Sequence, residues 1–290
     1  MSKHTDLRLI DKPLYRYWQA IYLSFFSPKI YLDAFKRWNG FGALYVLFVL
    51  MIFCLPFSLR LMFFMHQYIH SNLLTPFTQM PILYIQNGEI SIDEKMPFIV
   101  KNASGEVTAI IKESGSFEDE QKANPKLSIL ITKNTINIKP PNTETFLGIP
   151  LTFSNQEAMS QTLSESDTEI FNPKDLIDNR IIKNVIWSLL IALYPLIVLL
   201  FYAMYLVLLF TLPFLGQVCS QSLFGFKVRF GQACRIFALA VTPQIALFFT
   251  LASFNMLKLI PNYSYLILMA IYFFLALAAV KRESKKMVHA

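Results

Sequence analysis

ILYIQNGEISIDEKMPFIVKN, residues 82–102, alternates apolar and polar side chains on both sides of an Asn-Gly pair. A period of two puts one set of side chains on each face of a strand, and Asn-Gly supplies the positive φ values that a two-residue hairpin turn requires. A solvated β-hairpin is expected here, and its surroundings decide the fold. Residues 42–64 upstream are almost unbroken hydrocarbon, and so are residues 185–212 downstream. The reading is an α-helical integral membrane protein, with about four transmembrane helices, into which a small antiparallel β-rich extracytoplasmic domain is inserted.

Composition and charge agree. The chain is 54% hydrophobic, 15% aromatic and only 16% charged, with a mean hydropathy of +0.44, which is too apolar for an ordinary soluble protein of this size. Residues 65–184 carry 10 Lys and Arg against 15 Asp and Glu, whereas the rest carries 16 against 4. The basic residues therefore belong to the membrane-flanking parts, which points to membrane lipids as partners and away from nucleic acid. Cys54, Cys219 and Cys234 form no C-x-x-C pair and read as packing residues. About 40 residues containing Arg8, Lys12, Arg16, Lys29, Lys36 and Arg37 precede the first apolar run, so no cleavable signal peptide is expected.

Four stretches suffice to cross a hydrocarbon core about 30 Å thick: residues 42–64, 185–212, 236–257 and 263–280. No charge occurs from Asn184 through Phe226, long enough on paper for two joined helices. Charge decides for four. With that count the N-terminal arm, the loop bearing Lys227, Arg229 and Arg235, and the tail KRESKK share the cytoplasmic side. PFLGQVCSQSLFGF, residues 213–226, then reads as an interfacial or re-entrant connection. The expected segments are a cytoplasmic arm at 1–41, a span at 42–64, the β domain at 65–184, and three spans with loop and tail at 185–290.

Within the arm, Leu14, Trp18, Ile21 and Phe25 recur at helical spacing and predict an amphipathic helix on the membrane surface. Ser27-Pro28 interrupts it, and a second short basic-aromatic helix is expected over residues 30–38. After the hairpin, FIVKN, EVTAIIK and KLSILITKNTINIK keep the strand rhythm and predict a small antiparallel sheet. TFSNQEAMSQTL reads as a capped helix starting near Ser154 or Asn155.

SFFSPKIY and RWNGFGALYVL at the first span, IQNGEISIDEKMPFIVKN in the module and ALAVTPQIALFF in the third span resemble a bacterial membrane-protein family known as domain of unknown function 1189. That family is similar in membrane architecture to the wider Yip-type superfamily. The resemblance implies a bacterial inner-membrane location and helical spans of a shared type; it implies no catalytic residues.

Four residues stand out as functional candidates. Arg60 is the only charge inside the first span, placed to snorkel to headgroups or to meet a lipid phosphate or module carboxylate. Thr242, Pro243 and Gln244 put a helix break beside polar side chains, which suits either a solute path or polar packing between helices. His66 and His70 have a metal-like i,i+4 spacing but no further ligands, and Glu118, Asp119 and Glu120 read as an acidic loop. No Gly-rich phosphate cradle, G-x-S-x-G or H-E-x-x-H occurs, so neither catalytic residues nor a cofactor nor a metal is expected. The expectation is a non-catalytic accessory, scaffold or sensor subunit with a membrane-protein partner; a lipid- or solute-handling transporter component is the alternative.

Overall fold

The structure, a computed structural model, describes residues 13–102, 105–139, 144–146, 149–151, 158–164, 168–224 and 228–288. The chain divides into two compact units, Met1–Arg60 with Leu193–Ala290, and Leu61–Ala192. Among the described residues four helical stretches are long and apolar enough to cross a membrane: Ala43–Gln79, Arg180–Ser222, Phe230–Ser253 and Tyr263–Arg282.

Helices α1 (Tyr17–Phe26) and α2 (Pro28–Arg37) form the arm, broken at Ser27 because proline fits the first turn of α2. Then come α3 (Ala43–Tyr68), a π-helical turn (Ile69–Leu74) and α4 (Thr75–Gln79). On the return, α6 (Pro173–Asp178) leads into α7 (Arg180–Phe224), α8 (Phe230–Ala240), α9 (Thr242–Ser253) and α10 (Asn262–Val288). Helix α7 is 45 residues long, about 68 Å at 1.5 Å per residue, more than twice the hydrocarbon thickness. It corrects the expected re-entrant connection, because residues 213–224 simply continue the helix. Pro213 removes one N–H and releases the Leu209 carbonyl, and the Cys234 thiol donates to that carbonyl at 3.4 Å. The helix therefore has no need to unwind.

The first unit is held by rings and close backbone approach. Tyr17, Trp38 and Tyr45 pack with centroids 5.1 to 5.5 Å apart, Phe201 lies 4.9 Å from Phe249, and Phe237 lies 5.7 Å from Phe273. A Cβ on Gly216 would come within 2.4 Å of the Phe273 ring, and one on Gly42 within 2.7 Å of Ala238 Cβ. These glycines let α7 meet α10 and the start of α3 meet α8.

Among the described residues the second unit holds ten strands in three sheets. The hairpin of β1 (Leu83–Gln86) and β2 (Glu89–Ser91) forms as read, with Asn87 at φ 53° and Gly88 at φ 75° in its turn. Strand β10 (Glu169–Phe171) pairs with β1 to complete a three-stranded antiparallel sheet. A five-stranded sheet has the order β3 (Phe98–Lys101), β4 (Val107–Ile111), β5 (Ile129–Ile131), β6 (Thr135–Ile138) and β9 (Met159–Thr162). A separate hairpin joins β7 (Glu144–Phe146) to β8 (Ile149–Leu151).

Three expectations are corrected here. The large sheet is mixed, since β4 and β5 are parallel, and parallel neighbours need a crossover, which α5 (Phe117–Ala123) supplies. Glu118, Asp119 and Glu120 lie in the first turn of that helix, where its dipole favours negative charge. Residues 159–162 are a strand paired to β6 instead of part of a helix; Ser154 and Asn155 lie outside the described residues. The core explains the arrangement. Leu83, Ile85, Ile90, Val100, Ile129 and Ile131 form one apolar cluster shared by both sheets, while Ile110, Leu130, Phe117 and Leu127 pack α5 on the opposite face of the five-stranded sheet.

The close approach at Gly42 has a measurable signature. Gly40 and Gly42 have φ of +73° and +84°, but a Cβ on Gly40 meets nothing within 4 Å. Gly40→Ala should cost the backbone strain alone, about 1 kcal/mol or more, and Gly42→Ala should cost distinctly more because Ala238 must also move. Thermal unfolding of the two purified variants in detergent checks this, and equal losses would remove the contact.

Candidate functional site

The polar residues of the third span sit where α8 gives way to α9. Pro243 lacks the N–H that would bond the Leu239 carbonyl, and the chain breaks at Val241, leaving Pro243 in the first turn of α9. Thr242, fully buried, shares a 3.0 Å hydrogen bond with the Tyr45 hydroxyl of α3 and approaches the Ala238 carbonyl at 3.5 Å. Gln244, half-buried, accepts at Oε1 from the buried Tyr205 hydroxyl of α7 at 2.9 Å. The side chains of Thr242 and Gln244 are thus each engaged by a neighbouring helix. The geometry is that of polar packing between spans.

Arg60 lies elsewhere. Its guanidinium donates to the Ser253 carbonyl at the end of α9, eleven residues beyond Thr242, where the negative end of the helix dipole receives it. The structure thus brings Thr242, Pro243 and Gln244 together and leaves Arg60 at the far end of the same helix pair.

These contacts fix helix directions. Along α3 and α8–α9 the partners run Gly40 with Arg235, Gly42 with Ala238, Tyr45 with Thr242 and Arg60 with Ser253, so the first and third spans are parallel. Along α7 and α8–α9 they run Leu209 with Cys234, Tyr205 with Gln244 and Phe201 with Phe249, which is antiparallel. Phe237 with Phe273 and Phe248 with Tyr265 set α10 antiparallel in turn. An up-down-up-down bundle results.

Several of the residues that do this were not singled out from sequence. Tyr45 and Tyr205 are tyrosines deep in apolar spans, where a buried hydroxyl demands a partner, and that was the available signal. Asp33 is the other. It is 4% exposed and accepts from the Leu14 and Tyr15 amides at 3.0 to 3.4 Å and from Arg37 at 3.2 Å, which ties the start of the arm to α2. The fold also redraws the arm's apolar face. Ala20 and Ser24 are buried, Ile21 and Phe25 half-buried, and the exposed stripe is Leu14, Trp18, Tyr22 and Phe26, four residues apart. Burial, with Tyr45 and Tyr272 nearby, raises the Tyr31 phenol above its ordinary value, so it stays a neutral donor to the Ser24 carbonyl at 2.6 Å.

In the second unit His66 stacks 6.4 Å from His70 and 5.1 Å from Trp187, and no group of three metal-ligating side chains forms among the described residues. Glu120 pairs with Lys112, and Asp119 with Lys122. The two edges of the large sheet differ. Strand β3 carries a bulge at Val100 and Lys101, whereas β9 reads Met-Ser-Gln-Thr, is exposed along its length and pairs only with β6 among the described residues.

The family described as Protein of unknown function (DUF1189) matches residues 18–277. The chain belongs to that family. The DUF1189 match begins inside α1 and ends inside α10, so it takes in most of the arm's two helices, the first three long helices, the β module and α10 as far as residue 277. No curated protein and no solved structure matches the chain.

For this DUF1189 protein, a double-mutant cycle of Tyr205→Phe and Gln244→Leu should return a coupling of about 0.6 to 2 kcal/mol in reversible unfolding from mixed micelles. Strict additivity of the two losses would show that the pair does not hold α7 to α9.

Proposed function

We propose that this DUF1189 protein is a non-catalytic, multi-pass protein of the bacterial inner membrane that serves as an accessory, scaffold or sensor subunit. Both termini are cytoplasmic, and the β module faces the extracytoplasmic side and binds a partner. The orientation rests on the excess of Lys and Arg in the arm, the 225–235 loop and the tail. Kinship with the Yip-type superfamily is part of this reading and rests on membrane architecture alone.

The observation that carries the binding role is the edge of β9, which among the described residues pairs only with β6. Sheet edges are ordinarily blunted by charge, proline or a bulge, because their free N–H and C=O groups template another strand. Strand β3 is blunted in this way; β9 has no charge, proline or bulge, and its Met159 is 81% exposed beside Ile138, itself 38% exposed on β6. An edge left open beside an apolar pair suits strand addition by a partner chain, in which backbone hydrogen bonds supply affinity and no catalytic residue is needed.

Two experiments test the reading separately. In a Cys-free background, Ser91→Cys should label from outside intact cells, and Ser2→Cys and Ser284→Cys should not; external labelling at Ser284→Cys would refute the orientation. For binding, Met159→Lys with Gln161→Lys should leave insertion and unfolding temperature nearly unchanged and abolish crosslinks from the module in native membranes. The whole module is also removable: Leu83 and Phe171 are cross-strand neighbours, about 5 Å apart at Cα, so a short Gly/Ser linker can replace residues 83–171. Undiminished crosslinking after either change excludes β9 as the binding element.

A further inference from the structure

A cavity of about 240 Å³ opens in the first unit between the α1–α2 corner and the C-terminal part of α10. Phe25, Phe26 and Leu275 supply apolar wall, and Ser27, Tyr272 and Arg282 supply polar wall. The Ser27 hydroxyl makes no capping bond, and Arg282, which is exposed, has no ion pair among the described residues. The cavity does not end there. Leu275 and Ala278 also line a shallow apolar groove that runs along α10 past Phe274 and Ile271 to Ile267.

We propose that this cavity and groove are a binding site for one anionic phospholipid of the cytoplasmic leaflet, with its phosphate at Arg282 and Ser27 and an acyl chain along α10. Length supports it. From Ile267 to Ala278 is eleven residues, about 16 Å of helix, against about 15 Å for the acyl layer of one leaflet. Chemistry supports it too: the wall changes from wholly apolar at Ile267 to cationic at Arg282, the order of groups in a lipid from chain end to headgroup. Lys29 and Lys281 flank the cationic end in sequence, and anionic headgroups gain roughly 1 kcal/mol per such residue near the surface. A second copy of the membrane unit is a poor occupant. Outside residues 65–184 the chain has only 4 acidic residues, and Asp33 is already engaged by Arg37 and two amides, so few carboxylates could meet Arg282 across a subunit interface. The site depends on the membrane location and on the cytoplasmic side of the tail, and not on what β9 binds.

The test uses the full chain in detergent and native mass spectrometry, titrating phosphatidylglycerol and phosphatidylcholine of identical chains. The first phosphatidylglycerol should bind roughly fivefold more tightly than the first phosphatidylcholine, and Arg282→Gln should erase that preference. Ala278→Trp, which fills the groove, should weaken both lipids. Lys258→Gln, in the turn Leu257–Leu259 that precedes the other end of α10, should change neither. Should Ala278→Trp lower the unfolding temperature, Leu275→Trp replaces it as the blocking variant. Glycerol phosphate without chains should not compete. Equal affinity for the two lipids in the unaltered protein, a preference that survives Arg282→Gln, or full competition by glycerol phosphate each overturns the proposal. A dimer that Ala278→Trp splits without changing lipid retention overturns it as well, making the groove a subunit interface.

Discussion

In hydrocarbon no water is present to take up a backbone or hydroxyl group left without a partner, and this condition organises the four helices. Three departures from plain apolar helix meet a donor or acceptor on a neighbour. Pro213 releases the Leu209 carbonyl and Cys234 reaches it; Tyr194 donates to the Met51 carbonyl, one residue before the carbonyl that Pro56 releases; Tyr45 meets Thr242 at the α8–α9 break. Because these contacts are directional and sparse, they set registry between helices whose apolar surfaces would slide. Gly42 against Ala238 adds the steric counterpart, a point where only a residue without a side chain lets the helices meet.

The same logic explains how the arm is built. An aspartate at position 33 would be costly beside a membrane, but it is folded inward onto the amides that open α1 and onto Arg37. That fold turns Leu14, Trp18, Tyr22 and Phe26 outward together, the kind of aromatic face that settles at a bilayer surface. The arm is thereby joined to the helical unit at one side while presenting an apolar stripe at the other.

The β module is built on a different pattern. Its core is a conventional apolar cluster between two sheets, closed on the far face by α5, and its exposed ion pairs include Lys122 with Asp119 and Lys133 with Glu89. Hydrophobic burial drives this unit, whereas packing and polar registry govern the helices. The two edges of its larger sheet, β3 with a bulge and β9 in unbroken register with β6, are where the module departs from symmetry.

The sequence by itself determined what is periodic and local. Apolar runs long enough to cross a bilayer, the Asn87-Gly88 turn, the proline break at Ser27 and the strand alternation through Ile138 were legible because each depends on neighbours within a few residues. Alternation says which face a residue takes and nothing about which strand lies beside it. The parallel pairing of β4 with β5 and the strand at Met159–Thr162 were therefore decided only by the shared core. The candidate residues follow the same division: the break at Thr242-Pro243 was visible as chemistry, but the engagement of Tyr45 with Thr242, Tyr205 with Gln244 and Arg60 with Ser253 joins residues 39 to 197 positions apart. Only tertiary packing brings such pairs within hydrogen-bond distance, because residues so far apart in sequence meet only where one helix packs against another.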